Sequence, residues 1–377
     1  MSTHVTTYTL VPGRPVAVQA PVLTVQQRRV VEHRDGPLLV LAGPGTGKTT
    51  TLVEAVTSRI EGADAPEEIL VLTFSRKAAA DLRRRIAARL GGSVVTPRAM
   101  TFHAFCHSVV RRYGDPELYG PAVRLLTAPE QEFRIREVLD GAGASAWPPG
   151  FQNAFRTRGF AAEVRAGVAA VRQLGLDADL LRDHADLAGR PEWYSLGTFF
   201  DEYLDVLESE QVLDYAELVH RTRVILADPE ISDAVRRSAR VVYVDEYQDT
   251  DPSQVALLGQ LAGAHGDLVV IGDPDQAIYE FRGARPRGIL DFPDEFTTAG
   301  GLPAPVVALD ETYRFGSVLA AASRRIADRL PLPRAIGDEV RKNFRSPRSA
   351  PSTPSGVVEV YTYDDAGAEA DHVADLL

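Results

Sequence analysis

Residues 37–51 read PLLVLAGPGTGKTTT: a short apolar run, a glycine-rich turn, and then Lys48 and Thr49 opening a segment with helical spacing. The order strand, turn, helix points backbone N–H groups and the positive end of a helix dipole at one anion. Gly43, Gly45 and Gly47 let the backbone approach that anion closely. In such a cradle Lys48 reaches the β and γ phosphates of a nucleoside triphosphate, and Thr49 offers its hydroxyl to Mg²⁺. The predicted phosphate site is therefore Ala42, Gly43, Pro44, Gly45, Thr46, Gly47, Lys48, Thr49 and Thr50. The match is to the A-x-x-x-x-G-K-T form, with Ala42 where the commoner pattern has glycine. A glycine-rich hairpin with a surface lysine is the plainer alternative, and the flanking strand and helix patterns argue against it.

Outward from this stretch, apolar runs of strand length alternate with helical spacing. Leu23–Gln27 (LTVQQ) starts a helix with Thr24 as its N-cap. Glu68–Phe74 (EILVLTF) predicts a strand, followed by the helical pattern SRKAAADLRRRIAARL, closed by Gly91 and Gly92. Ala99–Tyr113 predicts a short strand running into a helix. The pattern resumes with Arg240–Val244, a helix from Pro252, Asp267–Ile271, and Pro305–Leu309. This alternation predicts an α/β fold with a parallel sheet. Between 114 and 213 only helical patterns and breakers occur, which predicts an inserted helical domain with Trp147, Trp193, Phe199, Phe200 and Tyr203 in its core. Residues 1–20 read as an extended lead, and Arg341–Ser355 as a linker. Gly356–Tyr363 (GVVEVYTY) reads as a last strand before a helix from Ala366.

The chain has 377 residues, 45% of them apolar and 25% charged, the balance of a soluble protein of two or three domains. Its single cysteine, Cys106, excludes an internal disulfide framework and suits a reducing compartment. No apolar run approaches a membrane span, so a cytoplasmic protein with no membrane partner is expected. The net charge of −11 argues against a protein coated in nucleic acid, yet arginines cluster at Arg83–Arg85, at Arg111 and Arg112, and from Arg341 to Arg348. Charge alone leaves open whether these clusters bind phosphate or form solvated helix faces.

Hydrolysis needs more than a cradle: a metal ligand and a group that orients or deprotonates water. The run VVYVDE supplies both at the carboxyl end of a strand, where ligands sit in such sheets. Asp245 is expected in the Mg²⁺ shell beside Thr49, and Glu246 as the general base. Gln276, in GDPDQ after the next strand, is placed to sense the γ phosphate, and Arg314 to stabilise charge on the same group.

The segments LTVQQ, AGPGTGKT, LTFSRKAAADLR, TFHAF, VDEYQDTDPSQ, GDPDQAIYEFRGA and LDETYRF occur in that order. They resemble the Q motif and motifs I, Ia, Ib, II, III and IV of superfamily 1 DNA helicases of the UvrD, Rep and RecB type, over residues 23 to about 315. The middle stretch is also similar to the actinobacterial AdnA and AdnB helicase-nucleases. The resemblance implies a RecA-like P-loop NTPase. It implies a first lobe over 1–113 and 214–304, an inserted helical domain over 114–213, and an incomplete start of a second lobe over 305–377. It implies that Gln27 contacts adenine, that ATP and Mg²⁺ are bound, and that Asp214–Leu218 returns the chain to the first lobe. Single-stranded DNA would track over Phe74, Ser75, Lys77, Thr101, Phe102, His103, Tyr279, Phe281 and Arg282, since exposed aromatic faces stack bases without regard to sequence. Phe281 stands where the family usually has tryptophan.

The implied activity is ATP-dependent 3′-to-5′ translocation or unwinding in DNA repair or recombination, with single strands and single-strand/duplex junctions as substrates and a helicase-nuclease partner subunit in prospect. No segment after Arg314 resembles motifs V and VI. The expectation is therefore an N-terminal part of a longer helicase. The alternative from another class is a fragment or partner subunit that binds ATP and single-stranded DNA with weak hydrolysis. A P-loop small-molecule kinase leaves TFHAF and GDPDQAIYEFRGA unexplained.

Overall fold

Leu38–Leu41 (β1) has no exposed side chain, and neither has Ile69–Thr73 (β2). Strands this apolar suit a sheet covered on both faces, the condition of parallel α/β sheets. The computed structural model describes residues 18–91, 97–115, 123–263, 266–278, 283–285, 288–330 and 336–376. Further strands are Arg98–Thr101 (β3), Arg124–Leu125 (β4), Val212–Leu213 (β5), Val241–Val244 (β6), Asp267–Gly272 (β7) and Val306–Ala308 (β8). Six of them form one sheet in the order β3-β2-β6-β7-β1-β8. The pairs β2–β3, β2–β6, β6–β7 and β1–β7 are parallel, with Tyr243 opposite both Val71 and Val269, and Val40 opposite Ile271. The α/β expectation is met.

The helices around the sheet begin where the sequence supplies side-chain acceptors. Val25–Val31 (α1) opens with a capping box: the Gln27 amide N–H donates to Thr24 Oγ1 at 3.1 Å, and the Thr24 N–H to Gln27 Oε1 at 3.0 Å. Lys48–Glu61 (α2) follows the glycine turn. Arg76–Arg89 (α3) is capped by Ser75, and Phe102–Tyr113 (α4) by Thr101.

Ala128–Ala142 (α5), Pro149–Gln152 (α6), Arg158–Gln173 (α7), Ala178–Ala188 (α8) and Pro191–Ser209 (α9) make up the helical stretch. Trp147, Phe160, Phe199, Phe200 and Tyr203 share one buried cluster. Two expectations need correction. Trp193 is 38% exposed with the Arg190 guanidinium 4.9 Å over its ring, because it sits in the first turn of α9 rather than on its inner face. The stretch also ends in strand pairing: β4 and β5 form a short parallel pair.

Tyr215–Ile225 (α10) starts at Asp214, whose carboxylate is fully enclosed. Its Oδ1 accepts from the Glu217 N–H at 2.8 Å, and its Oδ2 from Tyr203 Oη at 3.0 Å and Gln131 Nε2 at 2.8 Å. Burial pushes this carboxyl above its usual range. Glu217, also buried, lies 2.7 Å from Arg172, whose guanidinium sits 4.7 Å over the Phe200 ring. Polar contacts thus tie α5, α7 and α9 to α10. Pro229–Ser238 (α11), Pro252–Ala262 (α12) and Gly288–Glu295 (α13) complete the first compact unit, which runs up to Leu41 and from Lys48 to Val307.

The second unit holds Ala42–Gly47 and the chain from Ala308. There Glu311–Thr312 (β9) pairs in parallel with Arg348–Ser349 (β10), alongside Ser317–Ala327 (α14), Asp338–Arg345 (α15) and Ala366–Leu376 (α16). The predicted linker over Arg341–Ser355 is thus partly regular. Asp338 and Glu339 at the start of α15, with Lys342 and Arg345 at its end, match the helix dipole, and Phe344 is buried. The predicted strand Gly356–Tyr363 is not a strand. Its residues are largely exposed and pair with no neighbour among the described residues, and an alternating pattern needs a partner edge. Residues 1–17 of the predicted lead and Gly92 lie outside the described residues. Among those residues no helix is long and apolar enough to cross a membrane.

Tyr203→Phe removes one of three donors to a buried carboxylate while keeping the ring. We expect a loss of about 1–2 kcal/mol in urea unfolding. An unchanged midpoint would show that the Tyr203–Asp214 contact does not hold α9 to α10.

Candidate active site

Parallel pairing places the carboxyl ends of β6, β7 and β1 side by side, about 5 Å apart from strand to strand. Lys48, the first residue of α2, puts its Nζ 3.2 Å from Glu246 Oε2, just beyond the end of β6. Glu246 is a non-glycine residue at φ 55°, ψ 43°, a conformation that costs of order 1–3 kcal/mol and persists where surrounding contacts fix it. The fixing contacts are visible. Gln248, itself buried, donates from Nε2 to Glu246 Oε2 at 2.8 Å and accepts the Asp273 N–H at 2.9 Å. Asp273, at the end of β7, accepts from the Asp275 N–H at 3.0 Å and from the Gln276 side-chain amide. The structure therefore joins the sequence-predicted Lys48, Glu246 and Gln276 through two residues the sequence reading left out, Gln248 and Asp273. The signal for Gln248 was its place inside VDEYQDT.

Asp245 is buried and pushed up to about 6, by burial first and then by the Glu246 charge, with Lys48 and the Glu246 N–H opposing. Asp249 is raised to about 6 for the same two leading reasons. A carboxylate held this far from its comfortable range beside a second carboxylate is a cation-seeking group. Among the described residues no three His, Cys, Asp or Glu side chains converge on a point. Mg²⁺ takes one or two protein oxygens and completes its octahedron with water and phosphate oxygens. The Asp245 carboxylate and the Thr49 hydroxyl are hard oxygen donors of this kind.

Within the second unit, the turn 42–47 is shaped by residues far along the chain. Gly45 has φ 74°, and a Cβ there would lie 2.3 Å from the Arg314 Cβ and 2.9 Å from Thr312 Oγ1. Thr312 Oγ1 donates to the Pro44 carbonyl at 3.0 Å, and the Tyr313 N–H to the Gly45 carbonyl at 2.8 Å. Arg314 is thus brought against the turn at its Cβ, with its side chain exposed. Thr312 had no assigned role in the sequence reading. Within the turn, Thr46 Oγ1 donates to the Gly43 carbonyl at 2.8 Å, and Gly47 has φ 85°. Gln27 is buried, with its Oε1 engaged in the α1 capping box.

The predicted DNA residues divide. Phe74 is half-buried, its ring 5.5 Å from that of Phe102. Phe102 is a correction: at 1% exposure it packs beneath Phe74 and has no ring face to offer a base. Lys77 is exposed, whereas the hydroxyls of Ser75 and Thr101 accept from the backbone of α3 and α4 as caps. His103 packs edge-on against Tyr215 at 4.5 Å, and burial pushes it down to about 4. It is neutral at pH 7 and brings no charge to a phosphate. Tyr215, 40% exposed, is an aromatic neighbour the sequence reading did not assign to this surface. Tyr279, Phe281 and Arg282 lie outside the described residues.

Residues 23–297 match the model of the UvrD/REP helicase N-terminal domain, most of the chain's length. The chain belongs to the UvrD/REP helicase family. It is 30% identical over 320 residues to the ATP-dependent DNA helicase UvrD1 of Mycobacterium tuberculosis, and 32% over 332 residues to that of Mycobacterium leprae. It is 26% identical over 306 residues to the ATP-dependent DNA helicase PcrA of Staphylococcus aureus. In each case 81% of this chain is aligned, against 39% or 40% of the relative, so the chain spans about two fifths of the length of these helicases. The matched stretch of this UvrD/REP family member includes every site residue named above except Arg314 and its neighbours Thr312 and Tyr313.

The raised Asp245 carboxyl carries a stability consequence. Its folded pKa of about 6 lies above the unfolded value of 3.8, so its contribution is fully favourable below pH ~4 and is lost as pH rises through 6. At ~1.4 kcal/mol per pH unit the loss reaches about 3 kcal/mol at most. We expect Asp245→Asn, without Mg²⁺ or nucleotide, to be more stable than the parent at pH 7.5 by about 1–3 kcal/mol and to lose that margin near pH 4. Parallel urea curves at the two pH values would rule out this account.

Proposed function

We propose that this chain binds Mg·ATP and single-stranded DNA as the ATPase portion of an ATP-dependent DNA helicase or translocase. The observation that carries the reading is the contact chain Lys48–Glu246–Gln248–Asp273–Gln276 across the carboxyl ends of neighbouring strands. A small-molecule kinase needs an acceptor site; the joined cation, carboxylate and amides support nucleotide hydrolysis instead.

Lys48 exchanges its 3.2 Å contact with Glu246 for phosphate oxygens, freeing the Glu246 carboxylate to accept a proton from water. Thr49 and Asp245 hold Mg²⁺, which neutralises charge on the phosphate oxygens. The backbone of Ala42, Gly43, Pro44, Gly45, Thr46 and Gly47, with Thr50, cradles the phosphates, and Gln27 contacts the base. Gln276 reads the terminal phosphate, and Arg314 stabilises charge there. Single-stranded DNA stacks on Phe74 and His103 and meets Ser75, Lys77 and Thr101, together with Tyr279, Phe281 and Arg282.

Movement in the 3′-to-5′ direction, preference for single-strand/duplex junctions, service in DNA repair or recombination, and pairing with a helicase-nuclease subunit form part of the same proposal, as does a cytoplasmic location. The relatives' printed names support ATP-dependent action on DNA. A first lobe over 1–113 and 214–304, a helical domain over 114–213, and second-lobe residues 305–377 belong to the same proposal.

Lys48→Ala should abolish Mg·ATP binding in calorimetry without altering the circular dichroism spectrum. Glu246→Gln should keep that binding, while any hydrolysis by the parent chain falls by ~10²–10⁴-fold, the worth of a positioned base. Retained ATP affinity in the first variant would remove the nucleotide assignment; unaltered turnover in the second would move the base elsewhere.

A further inference from the structure

The Gln248 side chain is buried and hydrogen-bonded at both ends, and the two ends serve different strands. Nε2 donates to the Glu246 carboxylate after β6, and Oε1 accepts the backbone N–H of Asp273 after β7. The packing around it leaves no slack. A Cβ on Gly272 would lie 2.5 Å from Gln248 Oε1 and 2.7 Å from the Ile289 side chain, so glycine at 272 is what lets the amide sit there. Glu246 itself turns through a left-handed backbone conformation, and its Oε2 is shared between Lys48 and Gln248.

From this we propose that Gln248 is a positioning residue. It holds the Glu246 carboxylate when Lys48 leaves it for a phosphate, and through Asp273 it passes that change to the turn carrying Gln276. Glu246 has two side-chain donors on one oxygen, and a ligand phosphate competes for only one of them. After Lys48 departs, Gln248 remains as the contact that fixes the carboxylate's rotamer, and its other end is already bonded to the β7 terminus. Asp273 in turn accepts from the Gln276 side chain, so the base and the phosphate sensor share one buried amide as their link.

This rests on the ATPase reading above, and its test separates the two. Gln248→Leu in the full chain should leave Mg·ATP affinity and KM within about twofold, while kcat falls ~10–100-fold, the scale of a misplaced rather than missing base. Gly272→Ala, which crowds the same amide while keeping its chemistry, should reproduce that split. A second readout needs no turnover. In ¹⁵N spectra of the wild-type chain the Asp273 backbone amide should shift when Mg²⁺ and a non-hydrolysable ATP analogue are added, and in Gln248→Leu that response should disappear. Wild-type chain that fails to bind Mg·ATP overturns the ATPase reading and this inference with it. Binding that is intact, with kcat unchanged in Gln248→Leu or an Asp273 response that persists in it, overturns the role of Gln248 alone.

Discussion

Parallel pairing of β6, β7 and β1 is the constraint on which the site depends. Each strand reaches its carboxyl end at the same edge of the sheet, so residues separated by about two hundred positions in sequence meet there without any dedicated loop. Tyr243 shows why the register does not slip. It stands opposite Val71 on one side and Val269 on the other, fully buried, and a one-residue shift would carry its hydroxyl and every neighbouring apolar side chain to the wrong face. Lys48, Glu246 and Asp273 inherit their spacing from that register.

The same edge concentrates features that work against stability. Asp245 and Asp249 are both pushed upward by burial and by the Glu246 charge, and Glu246 adopts a backbone conformation that side chains disfavour. Lys48 and the amide of Gln248 offset part of this. The remainder is an electrostatic deficit of the sign that a divalent cation corrects. Elsewhere in the first unit several buried charges are paired, Arg59 with Asp267 at 2.7 Å, Arg89 with Glu54 at 3.0 Å, and Arg172 with Glu217, while the buried Asp214 carboxylate is held by neutral donors. Two raised carboxylates flanking Glu246 at one strand edge form a perturbed cluster of the kind that concentrates at functional sites.

The alternation of strands and helices was legible because each strand is an unbroken apolar run next to a helix with its own cap, as at Ser75 and Thr101. The glycine turn, and Asp245 and Glu246 at the end of β6, were legible because they follow apolar runs directly in sequence. What stayed hidden depended on neighbours in space. Gln248 gains its role only from the N–H of a residue on another strand. Phe102 loses its stacking role because Phe74 covers it, and Trp193 leaves the helical core because of where α9 begins. The alternating pattern of Gly356–Tyr363 misled for the converse reason: periodicity states which face would be buried, not whether a partner edge exists.

The cradle turn illustrates how far local motif logic reaches. Glycine at 45 is required by its positive φ, which any P-loop reading expects. It is required a second time because Thr312 and Arg314 press against it from more than 260 residues away, with Thr312 donating to the Pro44 carbonyl and Tyr313 to that of Gly45. A glycine-rich turn free in solution would sample many conformations, and the two donors select one by satisfying carbonyls that the turn itself leaves without partners. Inside the turn the Thr46 N–H donates to the Gly43 carbonyl at 3.3 Å, which tightens it further. The segment LDETYRF therefore shapes the 42–47 turn through the Thr312 hydroxyl and the Tyr313 backbone, with Arg314 packed against Gly45.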